Sequence, residues 1–301
     1  MAGAAKNRMT APLRMSVVVA SNNARTSIRE CLAVLVDQRR GDAVEILVVD
    51  NSHDGSAEIV KDEFPDVSLI PAPTSALIPE LWGLGMRESR GSIVAITTAH
   101  FVPAGDWVDA MLAAQEGPAA GVGGAIESAE SAGLVDWAVY FCRYSQFMLP
   151  FEPGFVRDIA GDNASYKREH IERCRHVWRN GFWEPAVHAE LQKAGLKLLL
   201  TPVVVVSHKR SFGLRGFVIQ RLRHGMQFGR ERASRLPWPQ RALYIALSPT
   251  IPLIFLLRIA RRVFGKRRNR TKLILSLPAL VLFLLAWSLG ELLGYLRGPE
   301  A

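Results

Sequence analysis

IVAITTAHFVPAGDW, residues 93–107, is the stretch on which the reading of this chain turns. Its β-branched apolar run at 93–96 predicts a buried strand, and Thr97, Thr98, Ala99 and His100 follow before a proline turn and Trp107. A strand that ends in a lone imidazole and no carboxylate raises a chemical question for everything around it.

Outward from that strand, apolar runs and helical periodicities alternate. MSVVVAS (15–21) and VEILVVD (44–50) read as buried strands, DVSLIPA (66–72) as a short one, and SIVAIT (92–97) as the fourth. Between them RTSIRECLAVLVDQ (25–38), DGSAEIVKDEF (54–64) and ALIPELWGLGMRESRG (76–91) carry apolar residues at helical spacing. Such alternation predicts an α/β domain with a mostly parallel sheet flanked by helices. Ligands of such sheets bind beyond the carboxyl ends of the strands.

Composition sets the bounds. A chain of 301 residues holds one large domain and an appendage. The net charge of +9 is unevenly spread: residues 1–206 hold 19 Lys and Arg against 25 Asp and Glu, whereas residues 207–301 hold 18 against 3. The basicity therefore belongs to the tail. Cys31, Cys142 and Cys174 are odd in number and form no CxxC pattern, which favours free thiols in a reducing compartment. The apolar run at 15–20 is too short and strand-like for a signal peptide, and residues 1–13 read as a loose leader. SNNART follows the first strand where a dinucleotide enzyme needs GxGxxG, so an NAD enzyme is disfavoured. Instead, Ser21, Asn22 and Asn23 follow the first strand and DNSHDGS (50–56) the second. Asp50 and Ser52 stand where a base or ribose could be hydrogen-bonded, while Asp54 and Ser56 equally suit a turn and helix cap.

SVVVASNNA, EILVVDNSHDGS, ESRGSIVAIT, PAGDW, AGDNASYKRE (160–169) and FWEPAVHAELQKAG (182–195), in this order and spacing, resemble the family-2 glycosyltransferases of GT-A fold over about residues 15–210. The resemblance implies a nucleotide-sugar donor held by Ser21, Asn23, Asp50 and Ser52, and a DxD-type metal motif at the end of the fourth strand. There the chain has Thr98, Ala99 and His100, a degenerate motif that lacks the charge a hard cation requires. Three arrangements remain open. His100 joins His208 around a softer ion such as Mn²⁺ in place of Mg²⁺; Lys209 and Arg210 neutralise the diphosphate; or the site has lost its chemistry. The resemblance also implies an acidic base at the start of a helix running to a glycine, which selects Glu184, with Leu191 and Gly195 downstream. A plain first-turn glutamate favoured by the helix dipole fits the same position. Asp162 and Asn163 would lie near the acceptor by the same resemblance, though Asx residues after glycine also form ordinary turns.

The tail begins with GFVIQRLRHGMQFGRER (216–232), in which Gln220, Arg223 and His224 echo a QxxRW motif. Phe217, Leu222 and Phe228 on its apolar side predict a basic amphipathic region over 212–241, suited to a diphosphate or to anionic headgroups. Two apolar segments close the chain at 242–260 and 273–296, separated by the cationic RRVFGKRRNRTK, and read as membrane segments within 242–301, with a buried hydrophobic helical hairpin of a soluble domain as the competing reading. Two plain crossings would set the basic loop and the body on opposite sides of the bilayer, against the positive-inside tendency. The expected arrangement is an interfacial or re-entrant first segment broken at its prolines, then one crossing helix, with Glu291 facing another helix or the interface. A domain over 14–211 at the cytoplasmic face of the inner membrane follows, acting on a glycan or lipid-linked acceptor. The competing reading is a silent GT-A-like scaffold or nucleotide-binding subunit. Nucleic acid is disfavoured, because the basic residues flank apolar segments without interleaved stacking aromatics.

Overall fold

The computed structural model describes residues 13–39, 41–129, 131–234 and 236–298; most of the leader predicted at 1–13 lies outside them. In chain order the elements are β1 (Met15–Ser21), α1 (Ile28–Asp37), β2 (Val44–Asp50), α2 (Ser56–Glu63), β3 (Ser68–Pro71), α3 (Ile78–Glu88), β4 (Ile93–Thr98), β5 (Phe101–Pro103), α4 (Trp107–Gln115), β6 (Gly121–Ser128), α5 (Leu134–Tyr144), β7 (Gly154–Val156) and β8 (Asn163–Lys167). There follow α6 (Arg168–Arg173), α7 (Arg175–Trp178), α8 (Glu184–Lys193), β9 (Leu198–His208), α9 (Leu214–Ala233), α10 (Trp238–Leu247), α11 (Ile251–Lys266) and α12 (Arg270–Arg297).

The strands form one sheet in the order β3-β2-β1-β4-β8-β6-β9-β5, with β7 also paired to β9. Its first four strands are parallel, as the alternation predicts. Beyond β4 the pairs of β8 with β4 and β6, and of β9 with β5 and β7, are antiparallel, so the sheet is mixed. After β4 the strand–helix alternation breaks: two residues separate β4 from β5, which pairs with β9 at the far edge of the sheet, and β8 takes the place beside β4. Val18, Val49, Val94 and Ile96 pack with Trp82 and Met86 of α3 and Leu191 of α8 in a core on one face of the sheet. Val17 and Val19, fully buried as well, point to the opposite face by strand alternation, so both faces are covered.

The chain divides into two compact units. One comprises residues up to Glu127 together with Phe151–Lys209; the other comprises Ser128–Pro150 and Arg210–Ala301. The continuous domain expected over 14–211 is thus interrupted, because α5 buries its apolar face with the C-terminal helices: Trp137 meets Lys272, and Asp136 accepts hydrogen bonds from Ser211 and from the Phe212 amide. In this second unit two helical stretches, Trp238–Lys266 and Arg270–Arg297, are long and apolar enough to cross a membrane. The first is broken by a 3₁₀ turn at Ser248–Thr250, where Pro249 stands. The basic amphipathic region expected over 212–241 is recast. Phe217 is buried edge-on against Phe283, so α9 spends its apolar face on α12.

Candidate functional site

The loops after β1 and β2 are stitched together. Asp50 is 5% exposed at the end of β2, and its carboxylate accepts the Ser52 amide at 3.1 Å and the Ser52 hydroxyl at 2.6 Å. The Asn23 amide donates to Ser52 Oγ at 2.8 Å, and Asn23 Oδ1 accepts the His53 amide at 3.0 Å. Asn23 sits at φ 52°, a left-handed conformation that asparagine tolerates better than most side chains. Ser21 is fully buried with its hydroxyl 3.3 Å from that of Ser52, so it supports the loop. Each Asp50 oxygen receives one hydrogen bond from Ser52 and keeps acceptor capacity for a hydroxyl or base. Asp54 binds the Ser56 and Arg25 amides, the turn-and-cap role. Sequence reasoning missed Asn51, which is buried and ties four neighbours: it accepts from Asn22 at 2.9 Å and donates to the carbonyls of Ala76 at 2.8 Å, Pro73 at 3.3 Å and Thr74 at 3.5 Å.

A second cluster forms where β4 ends beside β8. Thr97 pairs with Asn163 across the antiparallel ladder, and its hydroxyl donates to the Asp162 carbonyl at 2.8 Å. The Trp82 indole donates to the Thr97 carbonyl at 2.7 Å. Glu184 is the first residue of α8, which starts there because Pro185 suits a helix N-terminus, and Glu184 Oε1 accepts the Gly161 amide at 3.2 Å. The partly exposed carboxylate thus lies against Gly161, two residues before β8. One helical turn on, His188 is 1% exposed, with Nε2 2.8 Å from the Tyr166 hydroxyl and Nδ1 3.2 Å from Asp158. Burial pushes its imidazole below the ordinary 6.5, and Asp158 pulls weakly the other way. The same burial, reinforced by Glu184, raises the Tyr166 phenol well above 10. This Asp158–His188–Tyr166 row was not foreseen; a histidine four residues after Glu184 is its one sequence signal.

Two expectations are corrected here. Asn163 is fully buried; its oxygen accepts the Trp107 indole at 2.8 Å, and its amide donates to the carbonyls of Ala125 at 2.8 Å and Val204 at 3.1 Å. It is a core bracket rather than an acceptor contact. His100 is 6% exposed, with Nε2 3.1 Å from the Asn22 carbonyl and Nδ1 3.4 Å from Ser27 Oγ. His208, on the β9 position paired with Phe101, is 4% exposed and lies 4.8 Å from the Phe101 ring. The fold already uses both His100 nitrogens, so the two-histidine metal pair is withdrawn. Among the described residues no group of three His, Cys, Asp or Glu side chains is placed to hold a metal ion. Thr98, Ala99 and His100 do not fit a divalent ion at the strand end.

The predicted cations divide between the units. Lys209 pairs with Glu30 at 3.0 Å. Arg210 belongs to the helical unit, stacks over Phe212 at 5.0 Å, and is pushed below its ordinary value by burial and by Arg143. Gln220, half-buried, and Arg223, exposed, lie on α9 in that same unit.

The sequence model described as glycosyl transferase family 2 matches residues 16–175. Among solved structures, a mannosyltransferase from Pyrobaculum calidifontis, in complex with GDP-Man and Mn²⁺, is similar at 20% identity with a TM-score of 0.58, over 94% of this chain and 88% of its own. S. aureus TarS (residues 1–349), in complex with UDP-GlcNAc, is similar at 12% identity with a TM-score of 0.51, over 95% and 93%. No curated protein matches the sequence.

Proposed function

Because the chain belongs to the family-2 glycosyltransferases, we propose that it moves a sugar from a nucleotide-sugar donor to a glycan or lipid-linked acceptor at the cytoplasmic face of the inner membrane. The observation that carries this reading is the Glu184 carboxylate, half-exposed at the start of α8 and held by the Gly161 amide beside the end of β4. In this reading Asp50, seated by Ser52, accepts a hydrogen bond from the ribose or base, while Asn23 and Ser52 shape the loop around it. Lys209 supplies positive charge for the diphosphate, and Asp162 meets the acceptor. Glu184 takes the proton from the acceptor hydroxyl as its oxygen attacks the anomeric carbon; the bond to the nucleotide diphosphate breaks on the opposite face, so configuration inverts. No step is assigned to a metal.

Glu184→Gln preserves shape and hydrogen bonding but cannot take the proton. Turnover, read as nucleotide release from a panel of sugar nucleotides, is expected to fall roughly 10² to 10⁴-fold with donor affinity nearly unchanged. Equal turnover in the variant removes Glu184 as base. A wild type that binds donor and releases no nucleotide favours the scaffold reading, to which the missing acids at 98–100 already lend weight.

A further inference from the structure

The helical unit holds a feature that length and hydropathy do not reveal. Helices α9 and α12 run parallel and touch backbone to backbone: a methyl on Gly225 would strike the Trp287 carbonyl, on Gly229 that of Glu291, on Gly290 that of Leu222, and on Gly294 that of Met226. The contact is reinforced by the Arg221 guanidinium 4.1 Å over the Trp287 ring and by buried Glu291, which accepts from Tyr295 at 2.9 Å and from Trp287 at 3.2 Å. Any bilayer crossed by α12 would therefore contain α9 as well. Yet Arg223, His224, Gln227 and Glu231 of α9 are exposed, and charged side chains facing lipid tails are strongly disfavoured.

The other end of α12 is constrained independently. The turn that joins it to α11 is bound to the segment after α5: Lys266 donates to the carbonyls of Gln146 and Met148, Arg268 to that of Leu149 at 3.3 Å, and Asn269 contacts Met148 Sδ at 3.6 Å. The chain re-enters the sheet-bearing unit at Phe151, two residues beyond Leu149.

What remains outward is apolar and edged with positive charge. No residue of α10 is buried, and Leu243, Leu253, Leu257, Ile274, Leu282 and Leu289 are all exposed, while the opposite stripe of α12 buries Leu280, Phe283 and Tyr295. Exposed Arg258, Arg261, Arg267, Arg268, Arg270 and Lys272 accompany them, and residues 236–290 contain no acidic side chain. We infer that α10, α11 and α12 form an in-plane anchor that sinks its leucine face into one leaflet of an anionic bilayer, with no helix crossing it. This rests on the membrane reading of the proposed function and replaces the crossing helix expected over 273–296. Apolar burial and headgroup attraction act together at such a surface.

The test uses the full chain with single cysteines at Thr271, near the start of α12, at Ser234, just past the end of α9, and at Ser68 in β3 as the control; the unsubstituted chain gives the background. A membrane-impermeant maleimide is expected to label all three in inverted vesicles and none in intact cells. Labelling of Thr271→Cys and Ser234→Cys from opposite faces would overturn the inference and leave membrane association intact. In parallel, the purified chain is expected to float with vesicles of equal parts phosphatidylglycerol and phosphatidylcholine, and Leu257→Glu with Leu282→Glu to weaken that binding at least about tenfold. Absence of flotation by the unsubstituted chain would overturn the membrane reading, and the inference with it.

Discussion

Replacing Gly161 with alanine probes the candidate base without touching its chemistry. A Cβ at this position would lie 2.5 Å from Glu184 Oε1 and 2.8 Å from the Trp82 ring. The indole cannot yield easily, because it is 3% exposed and its nitrogen is committed to the Thr97 carbonyl. The carboxylate, half-exposed, must move by about 1 Å to restore ordinary contact, and a displacement of that size costs on the order of 10²-fold in rate when it misplaces a catalytic group. Overpacking against the indole adds about 1 to 3 kcal/mol of destabilisation. At about 2–4 °C per kcal/mol for a domain of this size, the melting temperature drops by several degrees and the protein stays folded at 25 °C. The assay is nucleotide release at saturating donor and acceptor, with thermal melting on the same preparation. Gly105→Ala, where a Cβ meets nothing within 4 Å, is the control and is expected to match the wild type in both. A folded Gly161→Ala protein with wild-type kcat would refute the assignment of Glu184, since the carboxylate would then be displaced at no catalytic cost.

Asp50→Ala is expected to weaken nucleotide binding by about 1.5 to 3 kcal/mol, measured calorimetrically; an unchanged Kd would remove Asp50 from the donor site. His100→Ala deletes hydrogen bonds to Asn22 and Ser27 and is expected to lower stability by about 1 to 3 kcal/mol. Unchanged melting combined with loss of a Mn²⁺ response would instead restore His100 as a metal ligand. His188, held below its ordinary 6.5 by burial, binds fewer protons folded than unfolded, so its stabilising contribution is present above about pH 6.5 and lost as pH falls below it. Melting temperatures between about pH 7.5 and 5.5 should therefore decline more steeply in the wild type than in His188→Gln, and parallel slopes would contradict this.

The parallel half of the sheet was legible in the sequence because β1, β2 and β3 are each a short apolar run followed by a helix with apolar residues at helical spacing, and β4 is a fourth apolar run, a local pattern that needs no partner to be recognised. The places of Asp50 at the end of β2 and Glu184 at the start of α8 were legible for the same reason, since both follow from local patterns. The broken first apolar segment was readable too, since Pro249 and Pro252 act on their own backbone. Tertiary structure alone decided what depends on partners distant in the chain. Asn163 looks like an acceptor contact until Trp107, Ala125 and Val204 consume its polar atoms, and His100 looks like a ligand until Asn22 and Ser27 are found at its two nitrogens. Residues 128–150 read as part of a continuous domain, yet they pack with helices more than a hundred residues away. The residues of α12 that read as a membrane crossing carry an inner stripe of Gly290, Glu291 and Gly294 against α9. Composition records how apolar a segment is; which side of it meets protein and which meets lipid is set by the partner that packs against it.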